Sequence, residues 1–201
     1  MNHVSFKIIV VTVFICCAPG VAPGASGNIV EHDPNLILLM DSFKKVQKME
    51  ARFTGVKTMS ILKEPLRISG TLKYVAPSYI EKHITHPVNE RYVADGGTMT
   101  VENISKNESK TFPLEQYPPL WAFIEGFRAT LAGDLKTLNR FYEISFTEAE
   151  RWNIVLKPKL SQMLETIKTI DIFGRKNQIM QVNITSPSGD ISVMSIFPEP
   201  K

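Results

Sequence analysis

Leu36, Leu39, Met40, Phe43 and Val46 recur at spacings of three and four, the interval that lines one face of an α-helix. Asp33-Pro34 stands just ahead of them. An aspartate can accept the free N–H groups of a first turn, and a proline there lacks the N–H that would go unpaired. The pattern predicts a helix from this point to about Met49. The period then changes to two. Ala51–Thr58, Leu66–Val75, Tyr79–His86, Glu90–Ala94 and Thr98–Asn103 are rich in aromatic and β-branched residues and predict strands, with another at Lys110–Phe112. "DGG" at Asp95–Gly97 predicts a hairpin, because glycine accepts the positive φ of a tight turn. Pro65, Pro77 and Pro87 punctuate the other strand ends.

A second helical block follows, "YPPLWAFIEGFRATLAGDLKTLNRFY". Pro119 starts it, and Leu120, Phe123, Ile124, Phe127 and Leu131 form its apolar face. Gly133 ends this helix and Asp134 caps a shorter one reaching about Phe141. Strands resume at Tyr142–Glu148, Trp152–Lys157, Ile167–Phe173, Gln178–Thr185 and Ile191–Phe197, the last two joined by "SPSGD". Connections this short imply antiparallel neighbours, since a parallel return needs a crossover. The fold class expected is α+β: a strongly curved antiparallel sheet of about 10–11 strands, an incomplete β-barrel closed by helices.

The first 27 residues bear on the compartment. A lone cation, Lys7, precedes an apolar run from Ile8 to Ala18, and small residues and prolines follow. That run is too short for the ~20 residues a membrane span needs, and it fits a cleaved secretory signal peptide, residues 1–27. Ile15 ahead of Cys16 does not suit a lipid-attachment site, which wants a small residue there. Both cysteines, Cys16 and Cys17, fall inside the removed segment. The remaining 28–201 is expected to be a single domain without disulfide, thiol nucleophile or cysteine-bound zinc. The formal charge of +3 becomes +2 once Lys7 is lost, with no basic block, so nucleic acid is not an expected partner.

Candidate chemistry is sparse. His83 and His86 are three apart, and on a regular strand that spacing points them to opposite faces, so a shared metal is not expected. The chain has no G-x-S-x-G elbow, phosphate-binding loop or dinucleotide fingerprint. Neither an enzyme nor a cofactor site is expected. Met, Leu and Phe are abundant on helices and strands alike; such side chains repack around irregular apolar ligands, or simply fill a core.

"EARFTGVKTMSILKEPLRISGTLKYVAPSYIEKHITHPVNERYVADGGTMTVEN" (Glu50–Asn103) resembles the front half of the outer-membrane lipoprotein carrier (LolA) family. The shared features are a phenylalanine strand (Phe53), a glycine-led strand ending in proline (Gly70, Pro77) and "DG" before the next strand (Asp95-Gly96). "RWNIVLKP" and "IKTIDIFGRKNQIMQVNI" resemble the family's later strands, and "YPPLWAFIEGFRATLAGDL" and "GDISVMSI" resemble its LolA-related branch. Two positions depart from it: Ala76 stands where the carriers commonly have arginine, and Lys82 where they tend to have an aromatic. A lid mechanism built on that arginine does not carry over.

The resemblance implies a periplasmic half-barrel with an apolar cavity that carries acyl chains. The ligand would be a lipid or lipid-linked product, or a lipoprotein. An inner-membrane exporter and an outer-membrane acceptor would be partners of a monomeric carrier. A lipid-responsive sensor partnering a membrane protein is the alternative. The cavity residues expected are Phe53, Leu72, Tyr74, Tyr79, Tyr92 and Met99 from strands, with Leu120, Phe123, Ile124, Phe127 and Leu131 from the helix. Arg128 and Lys82 are the expected head-group contacts, Arg128 having a structural ion pair as its alternative role.

Overall fold

The computed structural model describes residues 33–58, 60 and 62–199; the expected export signal at 1–27 lies outside them. The first helix, α1, spans Pro34–Phe43. Asp33 Oδ1 accepts from the N–H groups of Asn35 and Leu36 at 2.8 and 3.2 Å, the predicted cap. The helix ends earlier than the apolar spacing suggests, because strand β1 (Lys48–Thr58) already pairs Lys48 and Met49 with Val75 and Tyr74. Val46 packs on the core from the intervening turn.

Strands β2 (Leu66–Val75), β3 (Tyr79–His86), β4 (Glu90–Asp95), β5 (Thr98–Asn103) and β6 (Glu108–Pro113) follow as an antiparallel meander. Gly96 and Gly97 have φ of 52° and 86° at the β4–β5 hairpin, where side-chain-bearing residues would be strained. The chain then builds α2 (Pro118–Ala132) and α3 (Leu135–Phe141) before returning to strands β7 (Tyr142–Thr147) and β8 (Trp152–Pro158). A one-turn helix, α4 (Ser161–Leu164), too short to leave a periodic signal, leads to β9 (Thr169–Arg175), β10 (Gln178–Thr185) and β11 (Ile191–Pro198).

All 11 strands belong to one sheet in the order β6-β5-β4-β3-β2-β1-β11-β10-β9-β8-β7. The pairing of β1 with β11 joins the two halves, and β6 and β7 are the unjoined edges of an open barrel. The chain between those edges supplies α2. Tyr142 on β7 donates from Oη to the Ala122 carbonyl at 3.0 Å. A Cβ on Gly126 would lie 2.7 Å from the Tyr142 ring, so glycine is what lets the helix seat on that strand. At the far end of α2, Gly133 (φ 66°) terminates the helix, and Asp134 Oδ1 accepts from the Thr137 N–H at 3.0 Å to start α3. Leu120, Phe123, Ala129 and Leu131 are buried in the same core as Phe43, Ile154, Leu156 and Ile172. Each large apolar side chain so buried contributes ~1.5–3 kcal/mol.

One regularity expected of β3 fails. Its register with β2 shifts between Ser69 and Gly70, so that Ser69 faces His86 while Gly70 faces Ile84 and Thr71 faces His83. The extra residue, Thr85, resets the alternation, and His83 and His86 therefore share a face. His83 Nε2 lies 2.7 Å from Asn89 Oδ1. Among the described residues no cluster of three or more His, Cys, Asp or Glu side chains is placed to hold a metal ion.

Candidate functional site

Alternation along β1 buries Ala51, Phe53, Gly55 and Lys57 on one face. Residues directly opposite one another in a ladder share a face, so the register extends this set into rows across the sheet. One row is Phe53, Gly70, Ile84, Glu90 and Asn103; the next is Ala51, Leu72, Lys82, Tyr92 and Val101. A third runs Tyr74, Ile80, Ala94, Met99 and Phe112. The result is an apolar inner wall interrupted by Lys57, Lys82 and Glu90.

Lys57 is only 2% exposed and stands between Leu66 of β2 and Ser192 of β11. Burial lowers its pKa from 10.5 to about 8, against the opposing attraction of Glu90. Lys82 is partly exposed as a residue, with its Nζ 5.3 Å from the centre of the Phe53 ring. Protein crowds the amine closely enough that burial, followed by the charge of Lys57, lowers its pKa from 10.5 to about 7. Glu90 accepts from Tyr92 Oη at 2.6 Å and from Asn103 Nδ2 at 3.4 Å. Burial, with that bond to Glu90, pushes the Tyr92 phenol far above its ordinary range.

Of the residues expected to line a cavity, Phe53, Tyr74, Tyr92 and Met99 are buried on this wall, and Leu72 is half-buried on it. Leu120, Phe123 and Leu131 are buried on α2, whereas Ile124 and Phe127 remain half-buried, Phe127 meeting Phe123 edge-on at 5.0 Å. Tyr79 is a correction. It is opposite Val75, one residue out of phase with Ile80 and Lys82, so it lies on the outer face. There it hydrogen-bonds Glu81, which pushes its phenol up to about 12, and Lys73 Nζ sits 5.9 Å from its ring centre.

Arg128 is taken up structurally. Its guanidinium binds both carboxylate oxygens of Glu125 at 3.0 Å through Nε and reaches Asp134 at 3.6 Å through Nη2. This is the ion pair set against its head-group role. Lys57 is the wall residue the sequence reading passed over, although its spacing of four from Phe53 on a strand places the two on one face. A hollow of about 500 Å³, lined by Arg52, Thr54, Ser69, Thr71 and Phe197 among others, is not lined by either lysine.

Solved structures similar to this chain include a DUF1329 family protein from Desulfovibrio piger, at 10% identity and TM-score 0.45, covering 81% of this chain and 88% of that one. A LolA superfamily protein from Nitrosomonas europaea is similar at 10% identity and TM-score 0.41, covering 81% and 90%. The Pseudomonas aeruginosa MucA/MucB complex is similar at 6% identity and TM-score 0.40, covering 81% and 55%. No curated protein sequence matches the chain. The family model for outer membrane lipoprotein carrier protein LolA-like matches residues 32–195, and the chain belongs to that LolA-like family.

Proposed function

We propose that this protein is a periplasmic carrier that holds the acyl part of a lipid or lipid-linked molecule between the inner wall of its sheet and helix α2. Family membership supports the reading. The observation that carries it is a rim of half-buried apolar side chains around a tightly packed interior. Leu72, Ile80 and Val101 on the wall and Ile124 and Phe127 on α2 are half-buried and pack against the core. Phe53, Tyr74, Leu120 and Phe123, by contrast, are packed tightly, with at most 6% exposure. An acyl chain that enters at the half-buried rim must therefore displace α2 or part of its packing to reach them.

The energetics suit a shuttle. Each methylene withdrawn from water is worth ~0.8 kcal/mol, so sheltering about ten gives roughly 8 kcal/mol before the cost of association. That limits gross affinity to the micromolar range and leaves release feasible. Exchange with an inner-membrane donor and an outer-membrane acceptor would then need only a better site on the receiving side.

The test is native mass spectrometry of the protein purified from a periplasmic extract, with solvent extraction of whatever it retains. An acyl-bearing molecule at stoichiometric occupancy is expected. Protein that carries none, and that also fails to quench or enhance a fluorescent fatty-acyl probe, would overturn the proposal.

A further inference from the structure

We infer that one end of the open barrel docks on a membrane, its projecting apolar side chains entering the surface of an anionic lipid bilayer. The sheet topology defines that end. Every neighbouring pair of strands is antiparallel, so the β1–β2, β3–β4, β5–β6, β8–β9 and β10–β11 connections emerge at one end of the sheet. The β2–β3, β4–β5, β7–β8 and β9–β10 connections emerge at the other. Within the first group, Ile104 N–H donates to the Asn89 carbonyl at 2.9 Å, and Lys168 N–H to the Thr185 carbonyl at 2.7 Å. Thr58, closing β1, lies opposite Ile191, which opens β11.

Exposed apolar side chains are divided unevenly between the two ends. Leu62, Val88, Ile104, Leu160 and Leu164 lie on connections of the first end, each 37–43% exposed. Among the described residues the opposite connections carry no exposed large apolar side chain, and Ile37, Leu38 and Phe197 belong to α1 and β11. A single exposed leucine is ordinary on a protein surface; confinement to alternate connections is not. Around α4, Met163 is turned into the core, whereas Leu160 and Leu164, one helical turn apart, stay exposed.

The charge of the same end selects the partner. Its five connections carry Lys63, Lys106, Lys159 and Lys168, all exposed, against the exposed Glu64 and Glu165, while Asp190 is buried. Single apolar side chains interleaved with lysines suit a bilayer interface. There the apolar groups enter the acyl boundary, and the ammonium groups stay among anionic head groups. Such docking does not depend on a hollow interior, although it would bring a carrier to the lipid it exchanges.

Flotation of the whole mature chain with protein-free vesicles decides the matter, using phosphatidylcholine alone and phosphatidylcholine mixed with phosphatidylglycerol. The mixed vesicles should be bound about tenfold more tightly. Leu62→Ser with Ile104→Ser, and Leu160→Ser with Leu164→Ser, should each weaken that binding by about tenfold and leave the urea midpoint unchanged. Leu38→Ser with Phe197→Ser, outside the docking end, should leave it intact. Residues 28–201 contain no cysteine, so a polarity-sensitive dye on Val88→Cys reports the docking end alone. Its emission should shift to the blue on mixed vesicles, and a dye that stays in water overturns the inference even if the serine variants fail to fold. Absence of binding to either vesicle overturns it too. Binding that survives both serine pairs is adsorption by charge alone and overturns insertion. Binding to protease-sensitive native membranes but not to vesicles means a protein partner and overturns the lipid assignment. Retention of an acyl-bearing molecule is read separately, so the docking end and the carrier reading can each fail alone.

Discussion

Lys82→Met removes an ammonium from the inner wall while keeping an unbranched side chain, so it isolates what that charge costs the fold. The Lys82 pKa falls from 10.5 to about 7, by burial first and by the charge of Lys57 second. A lysine pKa lowered by folding means that the unfolded chain binds more protons than the native one between those values. Stability therefore rises with pH across that window, and the penalty is fully present below it. At ~1.4 kcal/mol per pH unit, keeping Lys82 costs about 5 kcal/mol at pH 6 and about 2 kcal/mol at pH 9.

Lys82 shares the inner face of the sheet with Lys57 on β1, Tyr74 on β2, and Glu90 and Tyr92 on β4. Lys57, itself lowered to about 8, adds a similar rise to both proteins and largely cancels in the difference. With some relaxation around the charge, Lys82→Met should be more stable than the parent by about 2–5 kcal/mol at pH 6, with the gain shrinking steadily towards pH 9. Urea unfolding followed by the fluorescence of Trp121 and Trp152 at pH 6, 7, 8 and 9 measures this directly. A variant less stable than the parent at pH 6, or a difference that stays flat with pH, would refute the claim that the folded protein holds this ammonium in a poorly solvating site.

Gly126→Ala should lower the urea midpoint, because its Cβ would sit 2.7 Å from the Tyr142 ring and hydroxyl. Overpacking of this kind costs ~1–3 kcal/mol against a helix-propensity gain of at most ~1 kcal/mol. Adding Tyr142→Leu should recover part of the loss, and an unchanged midpoint in Gly126→Ala would deny the close seat. Arg128→Ala should lose about 1–3 kcal/mol by leaving Glu125 and Asp134 without their cation. Its affinity for a fatty-acyl probe should stay within twofold of the parent, and a selective loss for acidic probes would return Arg128 to the ligand site. Asp33→Ala should cost about 1 kcal/mol by removing the acceptor for two first-turn N–H groups of α1, with Asp33→Asn keeping most of the stability.

What could be read from the chain, and what could not, follows from the range of the forces involved. Strand extents and hairpins were legible because alternation, proline and the paired glycines at 96 and 97 act within a few residues. The same holds for Asp33 and Asp134 as helix caps. Contacts distant in sequence were not legible. Lys48 and Met49 continue the helical spacing nearby, yet pairing with Val75 and Tyr74 draws them into β1. The union of β1 with β11 carries no turn signal, since the whole sheet lies between them in sequence.

The site shows the same division more sharply, because there the inside-or-outside choice is a matter of parity and one residue reverses it. Tyr79 is expected to line the cavity, yet the inner-face positions of Ile80 and Lys82 put it in the opposite phase. Thr85 adds a residue to β3, and so His86 joins the face of His83. Lys57 is the converse case. Counting from Phe53 puts it on the inner face, whereas its residue type suits a solvated position. A buried lysine at a core parity is a conflict between two rules that usually agree. Here the same conflict occurs at Lys82, on the same wall. Two such violations on one face are hard to attribute to packing, because either lysine could be replaced by methionine at little cost in shape.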